Sequence, residues 1–250
     1  MIRIAAVGDI HFDRKSHNRL RQHFHGLAEK ADLFLLAGDL TQTGHPEEVQ
    51  ILADDLIDCP IPVVAVLGNH DYHLDQVEQM HQILKKAGVR VLEKNTIIMN
   101  INEQRVGIAG IKGFGGGFVG ACGSDFGEPE MKAFMRHSKN EAQELENMIK
   151  TMDCDYKIVL LHYSPTTQTL IGERKEIYPF LGSYYLSEAI DHGKVDIVFH
   201  GHAHSGIEKG VTPGGVPVRN VAQPVIRHAF NIYTLEKNDH RHLDFNDSTV

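Results

Sequence analysis

Five short apolar runs in this chain end in residues that can bind metal ions. Residues 2–7 run into Gly8, Asp9, Ile10 and His11, and residues 33–37 into Gly38 and Asp39. Residues 62–67 run into Gly68, Asn69, His70 and Asp71, residues 157–161 into His162, and residues 195–199 into His200, Gly201, His202, Ala203 and His204. Four of the five carry a Gly beside the polar residue, which lets bulky groups or backbone approach closely. Asp9, His11, Asp39, Asn69, His162, His202 and His204 offer oxygen and imidazole nitrogen and no thiolate. That donor set suits Mn, Fe, Co, Ni or Zn, and the imidazoles argue against Mg or Ca alone. Asp9 and His11 are two apart, as are His202 and His204, so on extended strand ends each pair is expected to share a face. Seven donors suffice for two metals if one carboxylate bridges.

The blocks Asp9–Ile10–His11, Gly38–Asp39, Gly68–Asn69–His70–Asp71, His162 and Gly201–His202–Ala203–His204 stand in this order between residues 8 and 204. Each is short, but the ordered set is specific. It resembles the calcineurin-like metallophosphoesterase superfamily, whose pattern is D-x-H, G-D, G-N-H-[DE], a lone His and G-H-x-H. The resemblance implies two divalent or transition metal ions, with Mn, Fe or Zn expected. It implies that Asp9, His11 and His204 hold the first ion, that Asn69, His162 and His202 hold the second, and that Asp39 bridges them. It further implies attack of a metal-bridging hydroxide on a phosphomonoester or phosphodiester, in the manner of two-metal sites. His70 would then sit over the site as a catalytic residue, a task that imidazole suits in general, and Asp71 would orient His70. Two carboxylates, two divalent ions and one hydroxide leave a single net positive charge, so such a centre can bind a phosphate anion. The expected partner is a small phosphorylated substrate. Two alternatives are a nuclease of the same superfamily and a non-catalytic scaffold with the same fold. No basic stripe or extra domain favours the first, and the eight intact motif positions (the seven donors and His70) argue against the second.

Those residues need elements that deliver them to one place. Short apolar runs alternate with longer amphipathic stretches, which is the pattern of an α/β chain. Strands are expected at 2–7, 33–37, 62–67, 89–92, 96–101, 104–111, 157–161 and 195–199, followed by a β-rich end over 206–236 with a turn at 213–215. Helices are expected at 16–30 (Ser16 as cap; Leu20, Phe24 and Leu27 on one face), 46–57, 74–87, 129–151 and 184–192. Pro46 opens the second of these, with Glu47 and Glu48 in its first turn, where the helix dipole favours acids. The glycine-rich stretch 113–127 reads as a loop rimming the site; no lysine opens a helix after it, so it is not a P-loop. The resemblance sharpens α/β to a four-layer αββα sandwich with two mixed β-sheets. A single metallophosphoesterase domain is expected over 1–236, with a polar C-terminal tail at 237–250.

Composition sets bounds on partners. Among 250 residues there are 25 Lys plus Arg, 33 Asp plus Glu and 17 His, for a formal net charge of −8. Such a balance argues against a non-specific nucleic-acid or membrane-surface binder, and nucleic acid is an improbable partner. Cys59, Cys122 and Cys154 are odd in number and widely spaced, so neither a disulfide framework nor a thiolate zinc site is expected. The N-terminus lacks the features of a signal peptide or membrane span, and a cytoplasmic location is expected. His73 and His200 flank motifs and read as solvent-facing or supporting residues. Arg14, Arg227 and His228 lie near a motif or strand end; they could contact substrate phosphate, with a solvated charge as the default reading. Twelve of the 17 His receive no task, and the sequence leaves oligomeric state open.

Overall fold

In a computed structural model the chain is described over residues 1–236; the tail expected at 237–250 lies outside the described residues. The first sheet holds β1 (Ile2–Val7), β2 (Leu33–Ala37), β3 (Val63–Val66) and β4 (Arg90–Val91), all parallel, with β13 (Asn231–Leu235) antiparallel to β1 at one edge. The second holds β5 (Asn95–Ile101), β6 (Gln104–Gly110), β9 (Tyr156–Leu160), β10 (Ile197–His200), β11 (Lys209–Val211) and β12 (Pro217–Asn220) in the order β11–β12–β10–β9–β6–β5. Strands β6, β9, β10 and β12 are parallel, while β5 and β11 are antiparallel to their neighbours. Both sheets are therefore mixed. The β5–β6 hairpin turns at Asn102 and Glu103, both at positive φ (50° and 62°), as a two-residue turn with twist-matched strands requires.

Strands β1, β2, β3, β9 and β10 are buried on both faces, so they read as continuous apolar runs, and alternate residues enter different cores. Ile2, Ile4, Leu33, Leu35, Val64 and Val66 meet Val106, Ile108, Ile158, Leu160, Ile197 and Phe199 between the sheets. Their neighbours Val7, Phe34, Leu36, Val63 and Ala65 face outward onto α1 (Pro46–Leu56) and α2 (Val77–Lys86). The outer face of the second sheet packs Ala109, Val159 and Val198 against α3 (Pro129–Thr151) and α5 (Tyr184–Asp191). This is the four-layer αββα sandwich.

Three local expectations fail. Residues 16–30 form turns and a short 3₁₀ segment at Arg21–His23 rather than an α-helix. Asn18 and Gly26 take positive φ (59° and 67°), and the amides of Asn18 and Leu20 donate to the Asp55 carboxylate of α1 at 2.8 Å. His, Asn and Gly are weak helix formers, and a tertiary carboxylate satisfies the amides instead. Leu20, Phe24 and Leu27 are nonetheless buried in the outer core. A short helix that the sequence did not announce, α6 (Gln223–Ile226), interrupts the β-rich end. The stretch 113–127 is not bare loop, because β7 (Gly117–Phe118) and β8 (Ala121–Cys122) pair within it. It packs on α4 (Tyr178–Leu181) and the residue after it, with Gly116 N donating to Pro179 O and Gly117 N to Gly182 O.

Candidate metal centre

The strands β1, β2 and β3 are parallel in one sheet and β9 and β10 in the other, and the residues after β1, β2, β9 and β10 gather at one edge of the sandwich. The loop after β1 continues to pair with the loop after β2: Asp9 N donates to Gly38 O (2.9 Å), His11 N to Asp39 O (3.0 Å) and Phe12 N to Leu40 O (2.9 Å). At this edge Asp9, His11, Asp39 and His204 gather in one donor group, and Asp39, His162 and His202 in a second, each with donor atoms within 4.8 Å of one another. Asp39 belongs to both. Asn69 stands at the second group, its Oδ1 3.0 Å from His162 Nε2.

The pairs two apart are not brought together by pleating. Asp9 (φ 54°), His11 (φ 42°), Asp39 (φ 47°) and His202 (φ 69°) all have left-handed backbones, which is uncommon for residues other than glycine. Asp9 and His11 share a group through these turns rather than through a strand face. His202 and His204, expected to share a face, point into different groups. Such strained residues persist only where the surroundings over-determine them, and they cluster at functional sites. Glycine is required beside them. A Cβ on Gly68 would overlap the Asp39 carboxylate, and one on Gly201 would overlap the Asp9 carboxylate.

Hydrogen bonds fix which nitrogen of each ring faces the centre. A carbonyl can only accept, so His162 donates Nδ1–H to Ala37 O (2.9 Å) and keeps its Nε2 lone pair toward Asp39 Oδ1, 3.3 Å away. His202 donates Nε2–H to Phe180 O (3.1 Å), leaving Nδ1 free. The ring of His70 donates Nδ1–H to Gln42 O (2.8 Å), and its Nε2 lies 4.0 Å from Asp39 Oδ2. Partners of this kind set tautomer and orientation in metal-binding histidines. Burial lowers His11 to about 4 and His202 to about 3, and holds His162 well below the usual imidazole range. Neutral rings with lone pairs available are what a cation requires. Burial also raises Asp9, while its 2.7 Å hydrogen bond to His204 raises the latter.

The donors fit a dinuclear centre. Asp9 and Asp39 are buried carboxylates that no lysine or arginine pairs among the described residues, and His11 Nδ1 is buried with no hydrogen-bond partner. A cation would offset the cost of burying this negative charge.

Asp71 does not orient His70. Its carboxylate accepts from Leu40 N (3.1 Å), Thr41 N (2.9 Å), Thr41 Oγ1 (2.7 Å) and Gly68 N (2.8 Å). It thus ties the loop after β2 to the loop after β3, and the Gln42 carbonyl orients His70 instead. His200 is fully buried rather than solvent-facing: Nδ1–H donates to Gly201 O (2.7 Å), and Nε2 meets Thr169 Oγ1 at 2.9 Å. His73 is exposed, and Arg14 is an exposed ion-pair partner of Glu47. The glycine-rich stretch meets the centre at one remove, through its hold on the segment that carries Phe180 O.

Two residues escaped the sequence reading. Lys112 follows β6 one strand over from His162, whose backbone N donates to Lys112 O (3.0 Å). Its Nζ lies 5.0, 5.2 and 5.4 Å from the ring centroids of Tyr72, Phe114 and Tyr163. The strand-end rule applied to the sixth apolar run would have found it. Arg19 lies in the misread 16–30 segment and lines a cleft beside Asp9 and His11; no local signal marks it.

A sequence profile described as calcineurin-like phosphoesterase matches residues 2–206. No curated protein sequence matches the chain. Among solved structures, the fold is similar to that of a phosphopantetheinyl hydrolase from Mycobacterium tuberculosis (14% identity, TM-score 0.62, 90% of each chain covered). It is also similar to a putative 5'-nucleotidase from Staphylococcus aureus (17% identity, TM-score 0.57, covering 88% of this chain and 48% of that one). At such identities the likeness concerns the fold alone. No helix among the described residues is long and apolar enough to cross a membrane.

Proposed function

Because the chain belongs to the calcineurin-like phosphoesterase family, we propose that it hydrolyses a small phosphorylated substrate, a phosphomonoester or phosphodiester, with two metal ions drawn from Mn, Fe and Zn. The observation that carries this reading is the position of Asp39, shared by two donor groups that otherwise use different side chains. In this reading Asp9, His11 and His204 hold one ion, Asn69, His162 and His202 the other, and Asp39 bridges. When bound, the ions supply the nucleophile by acidifying water and supply the positive charge that a transferring phosphoryl group needs.

The chain's own residues do the rest. The Ala37 and Phe180 carbonyls hold the His162 and His202 rings in the tautomers that leave one lone pair free. The Gln42 carbonyl does the same for His70 and aims its Nε2 at the centre. There a protonated His70 would stabilise charge on the phosphoryl oxygens or deliver its Nε2 proton to the leaving oxygen. Asp71 acts as a positioning residue that fixes the two loops carrying Asp39 and His70. Hydrolysis of p-nitrophenyl phosphate and of its bis ester, measured with Mn, Fe, Zn and Ni, tests the proposal and separates monoesterase from diesterase. Asp39→Asn should cost orders of magnitude in rate and bring bound metal below one ion per chain. Wild-type protein that binds two ions and turns over neither ester would overturn it.

A further inference from the structure

A cleft of about 730 Å³ opens beside the first donor group, with Asp9 and His11 in its wall. Its remaining charged or titratable lining is basic: Arg19, His23, Arg227 and His228. Asp9, the only carboxylate among the lining residues described, is already engaged by His204. This concentration runs against a chain whose net charge is −8.

Arg19 is built into the wall rather than dangling in solvent. Its guanidinium donates to the Ile10 carbonyl and to Gln223 Oε1 (2.9 Å) and lies 4.8 Å from the centroid of the Phe12 ring. Asp13 and Asp55 act on it through space, but no carboxylate forms an ion pair with it among the described residues. Both Nη2 hydrogens go to Ile10 and Gln223, and Nη1 lies 3.4 Å from Ser16 Oγ, so this half-buried, already ordered arginine keeps Nε–H and one Nη1 hydrogen to meet an oxyanion. Arg227, also in the lining, ends α6 in a left-handed conformation (φ 57°, ψ 25°). A left-handed residue here closes the helix as its C-cap, a place more often taken by glycine. Arg227 and His228 are exposed, and neither has a carboxylate partner among the described residues. The ring of His23 stacks edge-on against Phe230 (6.4 Å between centroids).

We propose that this cleft is a subsite for a second phosphate, so that the substrate carries another phosphoryl group besides the one hydrolysed. The proposal rests on the phosphoesterase reading, which places the scissile phosphate at Asp9 and His11. A neutral alcohol portion would leave the arginines unused, whereas a second dianion would meet both Arg19 and Arg227.

The test uses two non-hydrolysable probes that differ by one phosphonate: propylphosphonate and propane-1,3-diphosphonate. Calorimetric affinities are measured on metal-loaded protein, with metal content determined for every variant. The wild type should bind the diphosphonate at least about tenfold more tightly, since one charge-assisted contact suffices for that factor. In Arg227→Gln/His228→Gln, both exposed positions, and in Arg19→Gln, the ratio should fall at least about threefold below the wild-type value, because each removes one charged contact and leaves the other. In Arg14→Gln, which lies outside the cleft, the ratio should stay at the wild-type value. A wild-type ratio below twofold, or a ratio unchanged in the cleft variants, overturns the subsite. Because the ratio comes from binding, it stands apart from p-nitrophenyl phosphate turnover. Turnover with no ratio sinks the subsite alone, and a ratio without turnover sinks the hydrolase reading alone.

Discussion

Replacing His70 by Ala separates chemistry from metal binding. The ring lies outside both donor groups, its Nδ1 is spent on the Gln42 carbonyl, and its Nε2 is 4.0 Å from Asp39 Oδ2. Its side chain is 37% exposed, so the stability lost is that of one hydrogen bond, about 1 kcal/mol. The rate should fall far more: a positioned acid–base residue contributes roughly 10²–10⁴-fold, or about 3–5 kcal/mol of barrier. The leaving group refines the test. Phenol is a poor leaving group with a pKa of about 10, and p-nitrophenol is far more acidic. If His70 Nε2 protonates the leaving oxygen, His70→Ala should lose more activity on phenyl phosphate than on p-nitrophenyl phosphate. Equal losses would leave charge stabilisation as its role. The assay is steady-state kinetics on both esters, with metal content by elemental analysis. Loss of metal in step with activity, or a rate loss below tenfold on both esters, would refute the assignment.

Asp71→Ala should behave differently. It strips the acceptor from the amides of Leu40, Thr41 and Gly68, at roughly 1–3 kcal/mol for each donor left unpaired. Thermal stability and bound metal should therefore fall together with activity, as calorimetry and elemental analysis would register. Gly68→Ala should drive its Cβ into the Asp39 carboxylate, at about 1–3 kcal/mol of overpacking strain, and weaken both metal sites in a titration. His200 stays neutral in the fold down to about pH 4 because of burial, whereas its ordinary value is 6.5. The unfolded chain thus binds more protons between these values. Stability should fall as pH drops from 6.5 to 4, by about 3 kcal/mol from this residue. Urea unfolding across that range should be less pH-dependent in His200→Gln than in the wild type; equal slopes would contradict this.

The sequence determined the kind of site and the elements that carry it. Five apolar runs ending in Asp, Asn or His, four of them beside Gly, were legible because strands buried on both faces read as unbroken hydrophobic segments. Glycine marks where a Cβ would strike a carboxylate, as at Gly68 and Gly201. Tertiary structure alone decided how the side chains divide. His202 and His204 are two apart, yet they enter different donor groups because the backbone at His202 is left-handed rather than extended. Asp71 neighbours His70 in sequence but spends its carboxylate on a loop 30 and 31 residues earlier and on Gly68; the Gln42 carbonyl, 28 residues from His70, takes the place expected of Asp71. Arg19 was invisible, because residues 16–30 have a helix's apolar spacing while Asp55 of α1 captures the amides that a helix would have used. Apolar spacing reports which residues are buried. The partner that each polar group finds depends on what the fold brings beside it, and here those partners come from distant segments of the chain.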